Sequence, residues 1–152
     1  MIIGIVDTSI FCEILRVPNK SQRPELVINQ LRGHINAGVT LLLPVATILE
    51  TGNHIAQNGD GNLRRTTAIR FVQEVRKAIS DDAPWTISRP LFDRDNLNRY
   101  LNQFPDCAMR GTGLGDLSII EEFEYQCRLH PHGHVFIWSL DEHLRGYDRD
   151  AR

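Results

Sequence analysis

The sequence predicts an α/β protein: a single three-layer α/β/α domain around a central, mainly parallel sheet. Three short apolar runs, at residues 2–6, 39–43 and 135–139, show no polar alternation, which is typical of strands buried on both faces. Segments with helical spacing of apolar residues separate these runs. The alternation of strands with helices of this length indicates βαβ units and therefore parallel pairing.

The remaining elements follow from apolar spacing and chain breakers. The predicted helices begin at Ile10, Pro24, Val45, after the loop at 58–62, at Asp93, at Asp116 and after Asp141. The first six of these helices are predicted to end near Pro18, Gly38, Ala56, Ile79, Leu101 and Leu129. A further short strand is predicted at 85–88, and the glycine-rich segment at 111–115 is predicted to be a flexible loop.

Length and charge restrict the possible classes. The 152 residues suit one domain over 1–152, with 41% hydrophobic and 24% charged residues. The formal net charge of −2 excludes a uniformly basic nucleic-acid binder, although a local basic patch remains compatible with it.

Cysteine usage and hydropathy bear on the compartment. Cys12, Cys107 and Cys127 are far apart and form no CxxC pair, which disfavours a disulfide framework or a cysteine-rich zinc site. The first apolar run lacks a preceding basic region and meets Asp7, and no run of about 18 apolar residues occurs. We expect a cytoplasmic protein without a membrane association.

Four acids lie near predicted strand ends or on helices that leave the same edge. Asp7 follows the first strand, and Asp141 follows the strand at 135–139. Glu50 lies about two helical turns after the second strand, and Asp116 opens a helix after the glycine-rich segment. In parallel sheets the functional crevice lies outside the carboxyl ends of the strands. We therefore expect these four carboxylates to converge.

Converging carboxylates favour a cation. Two of them about 4 Å apart repel by roughly 4 kcal/mol at an effective dielectric constant of about 20. Such a cluster takes up protons or binds a positive ion. Oxygen ligands without cysteine favour Mg²⁺ or Mn²⁺, and a site of this kind suits metal-assisted phosphodiester hydrolysis.

Each acid also has a purely structural interpretation, and the residues alone leave both open. Asp7 could end a strand in a turn, and Asp141 could start a solvated helix. Thr47 and Glu50 match a capping box, in which the Glu50 side chain bonds a backbone N–H. Asp116 could be a helix N-cap.

Four ordered motifs resemble those of the PIN-domain nuclease family. They are, in chain order, Asp7-Thr8-Ser9, Pro44 followed by Glu50, Gly115-Asp116-Leu117-Ser118, and Ser139-Leu140-Asp141. Their order and spacing agree with the family over nearly the whole chain. The resemblance implies a PIN-like fold and a metal-dependent endonuclease that acts on single-stranded RNA.

The resemblance also implies roles for individual residues. The catalytic and metal-binding positions would be Asp7, Glu50, Asp116 and Asp141, with Mg²⁺ or Mn²⁺ as cofactor. The hydroxyl groups that orient these acids would be Thr8, Ser9, Ser118 and Ser139. The VapC-type toxins of this family are paired with an antitoxin protein and are often dimeric, so a cognate antitoxin and a homodimer are the implied partners besides RNA.

Three arginines are candidate contacts to the RNA backbone. Arg110, beside the glycine-rich segment, is the best placed, and Arg64 and Arg65 are weaker candidates, while a solvated helix face explains any one of them equally simply. Two features depart from the pattern of the VapC-type toxins. One is the predicted helix that carries Arg64 and Arg65, and the other is an extra acid, Glu13, just after the first motif.

Two other functional classes compete. One is a non-catalytic module on the same fold that binds RNA or a protein. The other is a phosphatase of the haloacid-dehalogenase type, which usually carries a second acid two residues after the first, where this chain has Ser9. The alternating histidines 130, 132 and 134 suggest metal ligands, but Pro131 and Gly133 favour a solvated loop.

Overall fold

The computed structural model describes residues 1–88 and 93–151. Their strands are β1 Ile2–Val6, β2 Thr40–Leu43, β3 Trp85–Ile87, β4 His134–Trp138 and β5 Asp148–Arg149. Their helices are α1 Thr8–Leu15, α2 Pro24–Asn36, α3 Val45–Ala56, α4 Gly61–Ile79, α5 Arg94–Met109, α6 Leu114–Leu129 and α7 Glu142–Arg145. The described chain is therefore mixed α/β, as predicted.

The strands form one sheet in the order β3-β2-β1-β4-β5. Strands β3, β2, β1 and β4 pair in parallel, and β5 pairs antiparallel to β4. Ile3 on β1 lies opposite Thr40 on β2 and Val135 on β4. Because β1 lies between β2 and β4, the carboxyl ends of these three strands are adjacent. The prediction of a mainly parallel sheet is confirmed.

Apolar side chains form two main clusters, as expected for helices on both faces of a sheet. One includes Val6 of β1 with Phe11 of α1, and the other includes Ile3 and Ile5 of β1 with Phe123 of α6. This division follows the two-residue period of a strand. It agrees with the predicted three-layer α/β/α arrangement.

Gly4 lets β1 pack closely against its neighbours. A Cβ at this position would lie 2.8 Å from Cζ of Phe136 and 3.0 Å from Cδ2 of Leu41. The absence of a side chain on this central strand therefore makes room for the neighbouring side chains on β4 and β2.

Several element boundaries differ from the predictions. Helix α1 begins at Thr8 rather than Ile10, because the Asp7 side chain caps it. Helix α5 ends at Met109 rather than near Leu101 and continues through Pro105. A small cluster that contains Tyr100, Cys107 and Leu117 packs α5 against α6, and this tertiary contact accompanies the longer helix. Strand β5 was not predicted.

The start of α6 was placed too late. The helix begins at Leu114 with Gly113 at its N-cap, so Gly115 lies in the first turn and not in a flexible loop. No helix of the described residues has the length and apolar character needed to cross a membrane.

Candidate metal centre

Asp7 lies where β1 ends and α1 begins. Its side chain is 4% exposed, and its Oδ2 atom accepts hydrogen bonds from Ser139 Oγ at 2.7 Å and from Ser9 Oγ at 2.8 Å. The same oxygen accepts a longer bond of 3.3 Å from the Ser9 backbone N–H. All three bonds fall on Oδ2, so Oδ1 has no hydrogen-bond partner among the described residues. The carboxylate is thus fixed through one oxygen, and the other remains available to a ligand.

The two serine hydroxyls connect Asp7 to the segment that follows β4. Ser139 Oγ accepts the backbone N–H of Asp141 at 2.9 Å, and Ser9 Oγ accepts that of Leu140 at 2.9 Å. Asp141 in turn caps α7, since its Oδ1 atom accepts the His143 backbone N–H at 2.9 Å. The interpretation of Asp141 as the start of a helix therefore holds alongside its place at the sheet edge. Asp7 does more than end a strand in a turn, because its side chain caps α1.

Glu50 lies in the second turn of α3. The Thr47 hydroxyl donates to the carbonyl oxygen of Val6 at 2.8 Å, which fixes this helix to the end of β1. Because Pro44 is the N-cap residue, Thr47 lies inside the helix and the capping-box interpretation of Glu50 is wrong. The Glu50 Oε2 atom instead accepts a hydrogen bond of 2.9 Å from the Thr8 hydroxyl.

Gly115 allows α6 to approach Glu50. A Cβ built on Gly115 would lie 1.8 Å from the Glu50 Oε1 atom. Any larger residue at 115 would therefore have to displace a carboxylate whose other oxygen is held by Thr8. This contact brings the first turn of α6, and with it Asp116, next to the second turn of α3.

Asp116 is half-buried in the first turn of α6. Since Gly113 is the N-cap, the interpretation of Asp116 as an N-cap is wrong. Partial burial raises the pKa of this carboxyl from 3.8 to about 6, with further contributions from the negative charges of the other three acids and a small opposing effect of His143. The charged form of Asp116 is therefore disfavoured in the cleft, mainly by burial and further by the neighbouring negative charges.

All four acids line one cleft of about 570 Å³. None of them forms an ion pair with a basic side chain in the described part of the chain. Within residues 1–88 and 93–151, no three of these acids bring ligand oxygens within 4.8 Å of one another. The group of potential ligands that does meet this distance is His134, Asp148 and Asp150, of which the two acids are exposed. The cleft is therefore more open than a cage of direct protein ligands.

The donor set fits a hard divalent cation. Mg²⁺ commonly binds through one or two carboxylates and keeps several of its waters, so wide spacing of the remaining acids is compatible with it. Asp7 Oδ1 is the oxygen most clearly free for direct coordination, and the other three carboxylates suit direct or water-mediated contacts.

Three of the four predicted hydroxyl groups contact an acid. Thr8 bonds Glu50, and Ser9 and Ser139 bond Asp7. The prediction for Ser118 is wrong at the level of contacts, because its hydroxyl donates to the Gly115 carbonyl oxygen at 2.8 Å. A serine inside a helix commonly donates to the backbone carbonyl three or four residues earlier.

None of the predicted arginines lines the cleft. Arg64 and Arg65 line a separate, mainly apolar groove of about 800 Å³ between α3 and α4. Arg110 follows α5, with its guanidinium 3.6 Å from the Cys107 Sγ atom. The prediction that these residues contact RNA beside the acids therefore finds no support in their positions.

Further residues line the cleft, and among them sequence reasoning missed Lys20 and Arg23. Lys20, Arg23 and Arg145 supply cations, and His54 lies one helical turn after Glu50. The His54 Nδ1 atom is buried without a hydrogen-bond partner in the described structure. The four-residue spacing of Glu50 and His54 on α3 was a usable signal, whereas nothing local in the sequence points to Lys20 or Arg23.

The histidine segment before β4 behaves in part as expected. His130 and His132 precede the strand, but His134 lies in it and pairs with Asp148 on β5 at 2.7 Å.

Comparisons of this chain with protein-family models, with curated proteins and with solved structures find no match.

Proposed function

We propose that this protein is a Mg²⁺- or Mn²⁺-dependent endoribonuclease of the PIN type that cleaves single-stranded RNA. The observation that carries the proposal is the convergence of Asp7, Glu50, Asp116 and Asp141 on one cleft without a basic partner among the described residues. A buried carboxylate such as that of Asp7 is normally paired with a cation, and no ion pair with a basic side chain of the described residues is formed here. RNA as the substrate comes from the family resemblance of the four motifs.

Each of the four acids has its own role in the proposed hydrolysis. A bound Mg²⁺ or Mn²⁺ supplies a water of lowered pKa and neutralises charge on the phosphodiester. Asp7 would hold the ion through Oδ1, since Ser9 and Ser139 bond its other oxygen. Glu50, held by Thr8, and Asp116 complete the negative wall of the cleft, and Asp141 closes it from the β4 side.

The test is RNA cleavage by the purified chain. Structured and unstructured RNAs are incubated with Mn²⁺ and with a chelator, and the Asp7→Asn and Asp141→Asn variants are compared with Glu124→Gln. Glu124 is an exposed acid of α6 outside the cleft, so it is the matched control. We expect cleavage only with the metal and only of unstructured RNA, lowered by about 100-fold or more in both cleft variants. Full cleavage by either folded cleft variant would overturn the proposal.

A non-catalytic binding module on the same fold is the second candidate. The observation in its favour is that no three of the four acids place oxygens within 4.8 Å of one another. This candidate requires RNA binding that a chelator does not change, and no rise in melting temperature with Mn²⁺. The nuclease requires such a rise.

The toxin role is a separate part of the proposal. We propose that the protein acts in the cytoplasm, where its unpaired cysteines stay reduced, and that a cognate antitoxin restrains it. Expression of the active chain is then expected to arrest growth, and the Asp7→Asn variant is expected to be tolerated. A homodimer is tested by the mass of the purified protein in solution.

A further inference from the structure

Glu13 is a buried carboxylate that the proposed cleavage chemistry does not use. It lies in α1, is 4% exposed, and accepts hydrogen bonds from three groups of one loop. These are the Ser21 hydroxyl at 2.9 Å, the Gln22 backbone N–H at 3.0 Å and the Arg23 backbone N–H at 3.0 Å. A buried carboxylate with several donors is a strong local restraint, because leaving any donor unpaired costs free energy.

The loop that Glu13 holds, residues 16–23, joins α1 to α2 and has a defined conformation. Arg16 and Asn19 adopt left-handed backbone angles, with φ of 52° and 66°. Val17 is fully buried, and its backbone N–H donates to the Cys12 carbonyl oxygen at 2.9 Å. The loop is therefore anchored at Val17 and, through its bonds to Glu13, at residues 21–23, which lie on either side of Lys20.

Two exposed cations of this loop line the acidic cleft. They are Lys20 and Arg23, and neither forms an ion pair among the described residues. A third cation, Arg145, lines the same cleft, and its guanidinium donates to the Leu140 carbonyl oxygen at 2.9 Å. Positive groups beside uncompensated carboxylates are what a polyanion needs in order to approach an acidic site.

We infer that Lys20 and Arg23 form a phosphate-binding edge for the backbone of a single-stranded nucleic acid, and that Glu13 is the positioning residue of this edge. The inference rests on the proposed function for the identity of the polyanion. It assigns substrate binding to the loop and leaves bond cleavage to the four acids. Variants of the loop are thus expected to change KM and leave kcat unchanged.

The experiment measures binding and cleavage separately. Anisotropy of a fluorescent single-stranded RNA is recorded in a chelator over a series of salt concentrations, and steady-state cleavage is recorded in Mn²⁺. The Lys20→Ala/Arg23→Ala variant is compared with Arg32→Ala/Arg128→Ala, which removes the same charge from exposed positions outside the cleft. The loop variant is expected to bind about 10-fold more weakly, with the salt slope lowered by about 1.4, while the control behaves as the wild type.

Glu13→Gln tests the positioning role. The amide keeps the shape of the side chain but removes its negative charge, so the bonds from the loop are no longer charge-assisted. The Arg23 backbone N–H, which donates to both oxygens of Glu13, also loses one of its two acceptors. We expect a higher KM with kcat within about twofold of the wild type. Ser21→Ala removes a single one of these bonds and is expected to act in the same direction with a smaller effect.

The outcomes are distinguishable from those of the proposed function. Wild-type affinity and salt slope in the Lys20→Ala/Arg23→Ala variant would overturn the binding edge even if the wild type cleaves RNA. Weakened binding in this variant, together with no cleavage by the wild type, would support the edge and reject the nuclease. Unchanged KM in both Ser21→Ala and a folded Glu13→Gln would reject the positioning role.

Discussion

Replacement of Asp116 by Asn is expected to stabilise the metal-free protein at neutral pH. Partial burial and the three neighbouring acids raise the pKa of the Asp116 carboxyl from 3.8 to about 6, so its charged form is disfavoured in the folded state. The asparagine side chain resembles the neutral form and avoids this penalty. The perturbation therefore removes a residue of the candidate metal centre and is nevertheless expected to raise the melting temperature.

The magnitude follows from that pKa. A rise from 3.8 to about 6 corresponds to about 3 kcal/mol at about 1.4 kcal/mol per pH unit. Asp116 is only half-buried, so solvent screening reduces this to about 1.5 kcal/mol. A negative charge in the first turn of α6 stabilises the helix, so its loss reduces this gain in stability by about 0.5 kcal/mol. The net gain of about 1 kcal/mol corresponds to about 2–4 °C for a domain of this size.

The pH dependence gives the effect its sign. Between the ordinary pKa of 3.8 and the folded-state pKa of about 6, the native state binds more protons than the unfolded state, so the stability of the wild type falls as the pH rises. The advantage of the Asp116→Asn variant is thus largest at about pH 7.5, shrinks as the pH falls through 6 and is lost near pH 4.

Thermal unfolding in a chelator between pH 4 and pH 8 measures this difference. Glu124→Gln is the control on the same helix and is expected to shift the melting temperature by about 1 °C or less. Addition of Mn²⁺ at pH 7.5 is expected to reverse the order, because it stabilises the wild type more than the Asp116→Asn variant. A lower melting temperature of the variant at pH 7.5, or a difference that does not change with pH, would refute the electrostatic reasoning.

Two further substitutions test how the cleft is built. Ser139→Ala removes the hydroxyl that donates to Asp7 and accepts the Asp141 backbone N–H. Thermal unfolding is expected to show a loss of about 1–2 kcal/mol of stability, and metal titration is expected to show Mn²⁺ binding weakened by about 10- to 100-fold. Unchanged Mn²⁺ affinity would mean that this hydroxyl does not orient a ligand. Gly115→Ala places a Cβ where Glu50 Oε1 now lies, so we expect weaker Mn²⁺ binding and a loss of about 1–3 kcal/mol of stability. Gly113→Ala is the control, because a Cβ at that position meets nothing within 4 Å. Equal Mn²⁺ affinity in these two glycine variants would show that Glu50 takes no part in binding the ion.

The sequence was sufficient where the signal is local. The apolar run at β1 and the helix Val45–Ala56 have the predicted bounds, since burial on both faces and helix-ending residues leave their mark within a few positions. It was not sufficient for α5, whose continuation through Pro105 accompanies packing against α6, or for β5, a two-residue strand defined by its pairing with β4.

The residues of the candidate site were likewise predicted where the signal is local and missed where it depends on tertiary contacts. Asp7 and Asp141 were identified because each follows an apolar run within two residues, and a strand end is a local feature. The role of Ser118 was wrong and the cations Lys20 and Arg23 were missed, because side-chain direction and loop position depend on contacts between distant parts of the chain.

The sequence by itself determined the α/β class, the parallel strands and the acids that belong to their carboxyl ends. Only the tertiary structure decided that β1 lies between β2 and β4, that Ser139 fixes one oxygen of Asp7 from 132 residues away, and which cations face the acids. The physical reason is that strand and helix formation depends on neighbours along the chain, whereas the lining of a cleft depends on long-range packing and hydrogen bonds that no local pattern encodes.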